Sequence, residues 1–247
     1  MRARMNAKFR SRLVPVSELE SETRGKMYAL FSDHFEDVHR DRFDQDLAAK
    51  QWALLLEGEP GQLLGFTSLR LDRRNGIDFP ASRETVDIVY SGDTIVAREA
   101  RTSPLLSSAW IAAVQSLAEG RRVLWFLLVS GWRTYRFLPI YWREFYPCWN
   151  RPMPDAVKQT METLASERFG QEYDRERGVV RFSEPQVLRS ENRGIPANRR
   201  RDPHVEFFAR VNPGHEAGDE LVCLTEITDS NLTNAGRRMV GERLEQE

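Results

Sequence analysis

The stretch VDIVYSGDTIVAREARTSP, Val86 to Pro104, carries the reading of this chain. Its first part is rich in β-branched and aromatic residues and predicts a long strand from about Glu84 to Val96. Within it Ser91 and Gly92 precede Asp93, and a glycine inside a strand marks a bulge or a close backbone approach. The second part ends on Ser103, a good N-cap, and Pro104, whose fixed φ suits a first helical position. A helix therefore begins near Ser103, with Leu106, Trp110, Val114 and Leu117 on its buried side and Gly120 at its end.

Upstream, WALLLEGEPGQLLGFTSLRL is two apolar runs joined by Glu59-Pro60-Gly61-Gln62, the residue order of a type II turn. Before it, Phe9 to Val16 predicts a first strand. Ser21 reads as the N-cap of a helix carrying Met27, Leu30, Phe31 and Phe35, and a second helix starts at about Asp41, with Phe43 and Leu47 on one face. Downstream, RVLWFLLVSG (Arg122 to Gly131) holds a continuous apolar run, as in a central strand covered on both faces. In the following WRTYRFLPIYWREFYP, Pro139 is expected to kink or split a helix. A helix over Asp155 to Phe169, short strands near Val179–Phe182, Val205–Val211 and Leu221–Ile227, and a helix from about Ser230 complete the order. The fold class expected is α+β: a mixed, mostly antiparallel sheet with helices on both faces, in a single domain over residues 1–247.

Composition narrows the function classes. Lys and Arg number 36 against 37 Asp and Glu, a net charge of −1, so there is no global pull on nucleic acid or an anionic membrane. The longest apolar run, Val123 to Val129, is far short of a membrane span. The basic start MRARMNAKFRSR has no apolar run behind it and does not read as a secretory signal. The two cysteines, Cys148 and Cys223, form no CxxC pair and suit a reducing cytoplasm. The histidines, His34, His39, His204 and His215, are scattered, and no metal site is expected.

From Phe9 to Tyr146 the element order resembles the GNAT superfamily of N-acyltransferases. The resemblance implies that the fourth strand and the start of the next helix bind a thioester carrier, through Ile95, Val96, Arg98, Arg101 and Ser103. It implies that the fifth strand splays from the fourth and leaves a cleft for a pantetheine arm. It also implies a tyrosine in the following helix as proton donor to the leaving thiolate, with Tyr135, Tyr141 and Tyr146 as candidates. The glycines that the superfamily places at its pyrophosphate-binding turn are missing from AREARTSP. The implied co-substrate is acyl-CoA or an acyl-phosphopantetheine arm on an acyl carrier protein, whose single phosphate Arg98 and Arg101 suit. Arg133 and Arg136 are further candidates for a phosphate or the carrier's acidic face; their plain reading is a solvated helix face.

Amide formation from a thioester needs a neutral amine, and a lysine-type amine is neutral in about one molecule in 2,500 at pH 7, roughly 4.6 kcal/mol of cost. A carboxylate that takes the proton lowers that cost. Asp93 is the first candidate, its alternative being a turn cap; Glu99 is the second, its alternative a surface ion pair with its arginine neighbours. The aromatic segment after Gly131 reads as core or as the lining of an acyl tunnel. The function expected is transfer of a fatty or other long acyl group to the amine of an amino acid or peptide, as in lipopeptide assembly. Two alternatives stand beside it: an acetyl-CoA-dependent N-acetyltransferase of small molecules, and a binding module of the same fold without catalysis. SENRGIPANRRRDP, 190–203, reads as a mobile basic loop able to steer an acidic partner. Asn212 to Glu220 reads as a hairpin loop, with Asp219 and Glu220 as liners of an acceptor pocket that nothing local requires.

Overall fold

The computed structural model describes residues 9–75, 77, 85–100 and 105–241. Its strands are β1 (Arg10–Pro15), β2 (Trp52–Glu57), β3 (Leu63–Arg74), β4 (Val86–Val96), β5 (Val123–Val129), β6 (Phe145–Tyr146), β7 (Tyr173–Asp174), β8 (Val179–Val180) and β9 (Glu220–Glu226). Its α-helices are α1 (Ser21–Ser32), α2 (Arg40–Ala48), α3 (Leu105–Ala118), α4 (Trp132–Tyr141), α5 (Asp155–Phe169), α6 (Ser190–Arg193), α7 (Pro203–Val211) and α8 (Asn234–Gly241). The strands form one sheet in the order β1-β2-β3-β4-β5-β9-β8-β7, with β6 also on β9. β4 and β5 run parallel, and the other pairs are antiparallel. The α+β class is as expected, and the strands after α5 complete the same sheet.

Alternation along the strands sends side chains to two faces. On one face Leu54, Leu69, Val89, Trp125 and Cys223 pack with Trp110 and Val114 of α3, Tyr135 of α4, Phe208 of α7 and Met239 of α8. On the other, Leu55, Phe66 and Ile95 pack with Met27 and Phe31 of α1 and Phe43 and Leu47 of α2. Further along that face Ile88, Leu124 and Val222 meet Val157, Met161 and Ala165 of α5. The β2–β3 turn is the type II turn expected: Gly61 has φ +84°, and the Gln62 amide donates to the Glu59 carbonyl at 2.8 Å.

Three expectations need correction. Pro139 does not split its segment; α4 runs continuously through it. Losing one backbone bond costs about 3 kcal/mol, and burial of Trp132, Tyr135 and Leu138 on one stripe outweighs that at roughly 1.5–3 kcal/mol each. The segment expected as a strand over 205–211 is α7. Asp202 accepts from the His204 amide at 3.0 Å, Pro203 opens the helix, and Val205 and Phe208 are buried three apart. The basic stretch 190–203 is stitched down rather than loose: Trp132 Nε1 donates to the Gly194 carbonyl at 3.1 Å, Arg133 to the Asn192 carbonyl at 2.9 Å, and Arg193 pairs with Glu36.

The feature that positions a site lies between β4 and β5. Their pairing runs from Asp87↔Val123 to Ser91↔Leu127 and stops there. β4 continues to Val96 on β3, and β5 continues to Val129 on β9. The strands therefore part, as the resemblance implies. At the same point β3 pairs Thr67 with Thr94 and Leu69 with Ser91, so Ser68 opposes two β4 residues, Gly92 and Asp93. This is the β-bulge expected at Ser91-Gly92. The extra residue resets the alternation and turns Asp93 to the α2 side with Tyr90 and Ile95.

Candidate functional site

A cavity of about 160 Å³ fills the gap that opens beyond Ser91 and Leu127. Tyr90 to Thr94 of β4 form one wall, and Trp125, Leu127 and Leu128 of β5 form another. Asp46 of α2, Thr134 of α4, Phe35, Phe182, Gln186 and Glu220 close it. Trp125 Nε1 donates to Ser91 Oγ at 2.9 Å, which ties the last paired rung of the two strands on the α3 side.

On the α2 side the cavity is acidic. Asp46, Asp93 and Glu220 come from α2, the β4 bulge and the start of β9. Lys50 follows α2 with its side chain only 2% exposed, and its Nζ lies 2.7 Å from both carboxylate oxygens of Asp46. The same ammonium sits 5.5 Å from the centroid of the Tyr90 ring, and the Arg168 guanidinium lies 4.1 Å from it. Arg42 reaches the cavity wall but is paired with Glu184 at 3.0 Å. Among the described residues the side chains of Asp93 and Glu220 make no hydrogen bond or ion pair.

The charge balance shows in the acidities. Burial pushes the Asp93 carboxyl up to about 7; the Asp46 carboxylate adds to the rise and Lys50 opposes it. Burial likewise pushes Glu220 up to about 8, with Asp93 and Asp46 adding to it. The Tyr90 hydroxyl is held well above its ordinary value, by burial first and then by Glu220 and Asp46. A carboxyl near 7 is a far better proton acceptor than an ordinary aspartate, and at neutral pH about half of it is ionised.

Of the residues singled out in the sequence, Asp93 lies in the cavity wall beside Thr94, and Glu220 joins it there. Asp219 instead pairs with Arg181 at 3.0 Å. Ile95 is buried against α1 and α2, and Val96 packs toward α3, its carbonyl 3.1 Å from His34 Nε2. Arg98 and Glu99 are exposed in a 3-10 turn after β4. Arg101 and Ser103 lie outside the described residues. Arg133 donates to the Asn192 carbonyl over the Trp132 ring, and Arg136 pairs with Asp202 at 2.7 Å. The Tyr135 hydroxyl is spent on the Pro147 carbonyl at 2.9 Å, with its ring packed on Phe208. Tyr141 packs its ring at a tilt on Phe137 in the α3-side core, and Tyr146 donates to Glu144 at 2.6 Å. Neither they nor Tyr135 line the cavity.

Tyr90, Asp46 and Lys50 were not singled out. Tyr90 precedes the Ser-Gly-Asp bulge by one residue, which is the one local signal that pointed to it. Asp46 and Lys50 are four apart, so a helical ion pair was legible, but not that it would be buried over a strand. Among the described residues no group of three or more His, Cys, Asp and Glu is arranged to hold a metal ion, and no helix is long and apolar enough to cross a membrane. Both cysteines are free.

Comparison with protein-family models and with curated protein sequences finds no match. Comparison with solved structures finds distant likenesses. A GNAT family N-acetyltransferase from Escherichia coli in complex with CoA is 17% identical, with 56% of this chain and 71% of that one covered and a TM-score of 0.39. A probable N-acyltransferase from Enterococcus faecalis is 15% identical, with 55% of this chain and 33% of that one covered and a TM-score of 0.39. An acyl-CoA N-acyltransferase from Pseudomonas aeruginosa is 14% identical, with 48% of this chain and 78% of that one covered and a TM-score of 0.33. Likeness at this level fixes neither a reaction nor a substrate.

Proposed function

We propose that the chain is an N-acyltransferase that moves an acyl group from a thioester to an amine in the gap between β4 and β5. The observation that carries this reading is the coincidence of three features at one point: the strands part, β4 bulges, and the bulge aims the weakly acidic Asp93 into the cavity. Among the described residues the facing edges of β4 and β5 beyond Ser91 and Leu127 have no strand partner on that side. An extended amide-bearing arm such as pantetheine matches such edges, as an added strand does. Thr94 and the backbone around it support the donor; the acidic α2 side supports a cationic acceptor.

In this reading the ammonium of the acceptor gives one proton to the Asp93 carboxylate. The free amine then attacks the thioester carbonyl, a C–N bond forms and the C–S bond breaks. The second amine proton leaves with the sulfur as the thiol, so charge and atoms balance. Tyr90 lines the cavity with its hydroxyl held protonated, which supports it rather than Tyr135 as the relay that gives its proton to the sulfur and takes the second amine proton in return. Backbone N–H groups at the bulge support the oxyanion, since donors there are fixed before the reaction begins.

The acyl group of this reading is short. The aromatic segment of α4 is packed as core, with Trp132, Tyr135, Leu138 and Trp142 all buried. A cavity of about 160 Å³ is below the roughly 300–1,000 Å³ of sites that enclose drug-sized ligands. Both points favour the acetyl-type alternative over a fatty chain. The test is thiol release from acetyl-, hexanoyl- and palmitoyl-CoA and from the same chains on an acyl carrier protein, each with a mixture of amino acids, peptides and simple amines. Release that is fastest with the short chains supports the reading. No release with any donor sinks it and leaves a binding module of this fold.

A further inference from the structure

The amine side of the cavity has more structure than one ammonium group needs. Two carboxyls with no partner among the described residues, Asp93 and Glu220, stand on β4 and β9, the strands that flank β5, with β4 already parted from β5 at Asp93. Between them on the same face of β5 is Leu128, and Phe182 and Phe35 close the wall. The third carboxyl, Asp46, is already neutralised by Lys50. The cavity thus offers acid, apolar floor, acid, in that order.

We propose that the acceptor is an amine with a second cationic centre at the other end of a short apolar chain, Asp93 facing the ammonium that reacts and Glu220 holding the one that does not. The inference rests on the acyltransferase reading only for which end reacts; the binding claim stands on the cavity alone. A cation at each end removes the repulsion between two half-buried carboxyls, and the chain between them covers Leu128. A single ammonium leaves one carboxyl covered and unpaired, the costly arrangement. Glu220 in this account is a specificity residue for the acceptor.

The test is calorimetric binding to the full chain without any thioester, at pH 7.5 and low salt. The probes are 1,4-diaminobutane, butylamine and 4-aminobutanoate. The diamine is expected to bind about tenfold or more tighter than butylamine, the size of one charge-assisted hydrogen bond, and 4-aminobutanoate more weakly than either. Because Glu220 holds a proton in part of the free population, diamine binding is also expected to release protons, read as a heat that varies with the buffer. Glu220→Gln is expected to bring the diamine down to the level of butylamine. Equal binding of diamine and butylamine by the unaltered chain overturns the inference, with no variant required; so does a diamine preference that survives Glu220→Gln. Diamine selectivity without thioester turnover in the presence of every donor contradicts the acyltransferase reading alone. Turnover of simple monoamines without diamine selectivity contradicts this inference alone.

Discussion

Lys50 lies directly over Gly92: a Cβ built at position 92 comes within 2.7 Å of the Lys50 Cε and closer still to Ser68 Oγ. The bare backbone of the bulge is what lets a buried ammonium rest there, bonded to Asp46 and facing the Tyr90 ring. The strand irregularity and the charge arrangement of the cavity are therefore one device. Altering either disturbs the other.

Gly92→Ala is expected to destabilise the fold by about 1–3 kcal/mol, because the added Cβ overlaps the buried Ser68 hydroxyl and the Lys50 stem that carries its ammonium to Asp46. The measurement is the urea midpoint at pH 7. Thiol release is expected to fall with it, since Asp93 follows Gly92 in the bulge.

Stability is expected to fall as pH rises across the neutral range. Asp93 and Glu220 are raised from 3.8 and 4.5 in the unfolded chain to about 7 and about 8 in the folded one. Between those limits the folded state holds protons that the unfolded state has lost. The two carboxyls therefore favour the fold fully below about pH 4, and that favour is lost as pH climbs through 7 and 8. Each contributes a slope of up to about 1.4 kcal/mol per pH unit. Urea midpoints at pH 5.5 and 8.5 read the effect, and Asp93→Asn with Glu220→Gln is expected to flatten it.

Lys50→Met is expected to move the acid limb of the rate profile to higher pH. Lys50 opposes the rise in Asp93, so removing it raises the carboxyl further. In the unaltered chain the limb is expected near pH 7. A limb that stays in place argues that Asp93 is not the titrating base.

Tyr135→Phe is expected to keep turnover within about twofold and to cost about 1 kcal/mol of stability for the bond to the Pro147 carbonyl. Tyr90→Phe is expected to slow turnover by about 10²-fold or more as a lost proton donor, with the fold retained. The paired assay separates the tyrosine implied by resemblance from the one in the cavity wall.

Much of the fold was legible because its signals are local. The Pro60-Gly61 turn, the Ser91-Gly92 bulge and the run Val123 to Val129 each announce themselves within a few residues. The α7 segment misled because Val205, Phe207, Phe208 and Val211 favour strands, although Asp202-Pro203 already carried the opposite signal. Asp93 was legible from the bulge. Glu220 was named as a pocket liner, but its meeting with Asp93 was not legible: it lies 127 positions later (220 − 93) and joins Asp93 only because β9 inserts beside β5. No periodicity records a contact of that kind. The tyrosine candidates lie outside the cavity wall for the same reason in reverse, since a segment rich in aromatic residues looks alike whether it lines a cavity or fills a core.

The most direct test of the account is the mass of the amine acceptor after incubation with acetyl-CoA at pH 8, comparing the unaltered chain with Asp93→Asn. The account predicts a mass gain of one acetyl group on the amine together with an equal amount of free thiol, and a loss of about 10²–10⁴-fold in rate for Asp93→Asn at unchanged thermal stability or better. Acetylation at the same rate by Asp93→Asn would contradict it.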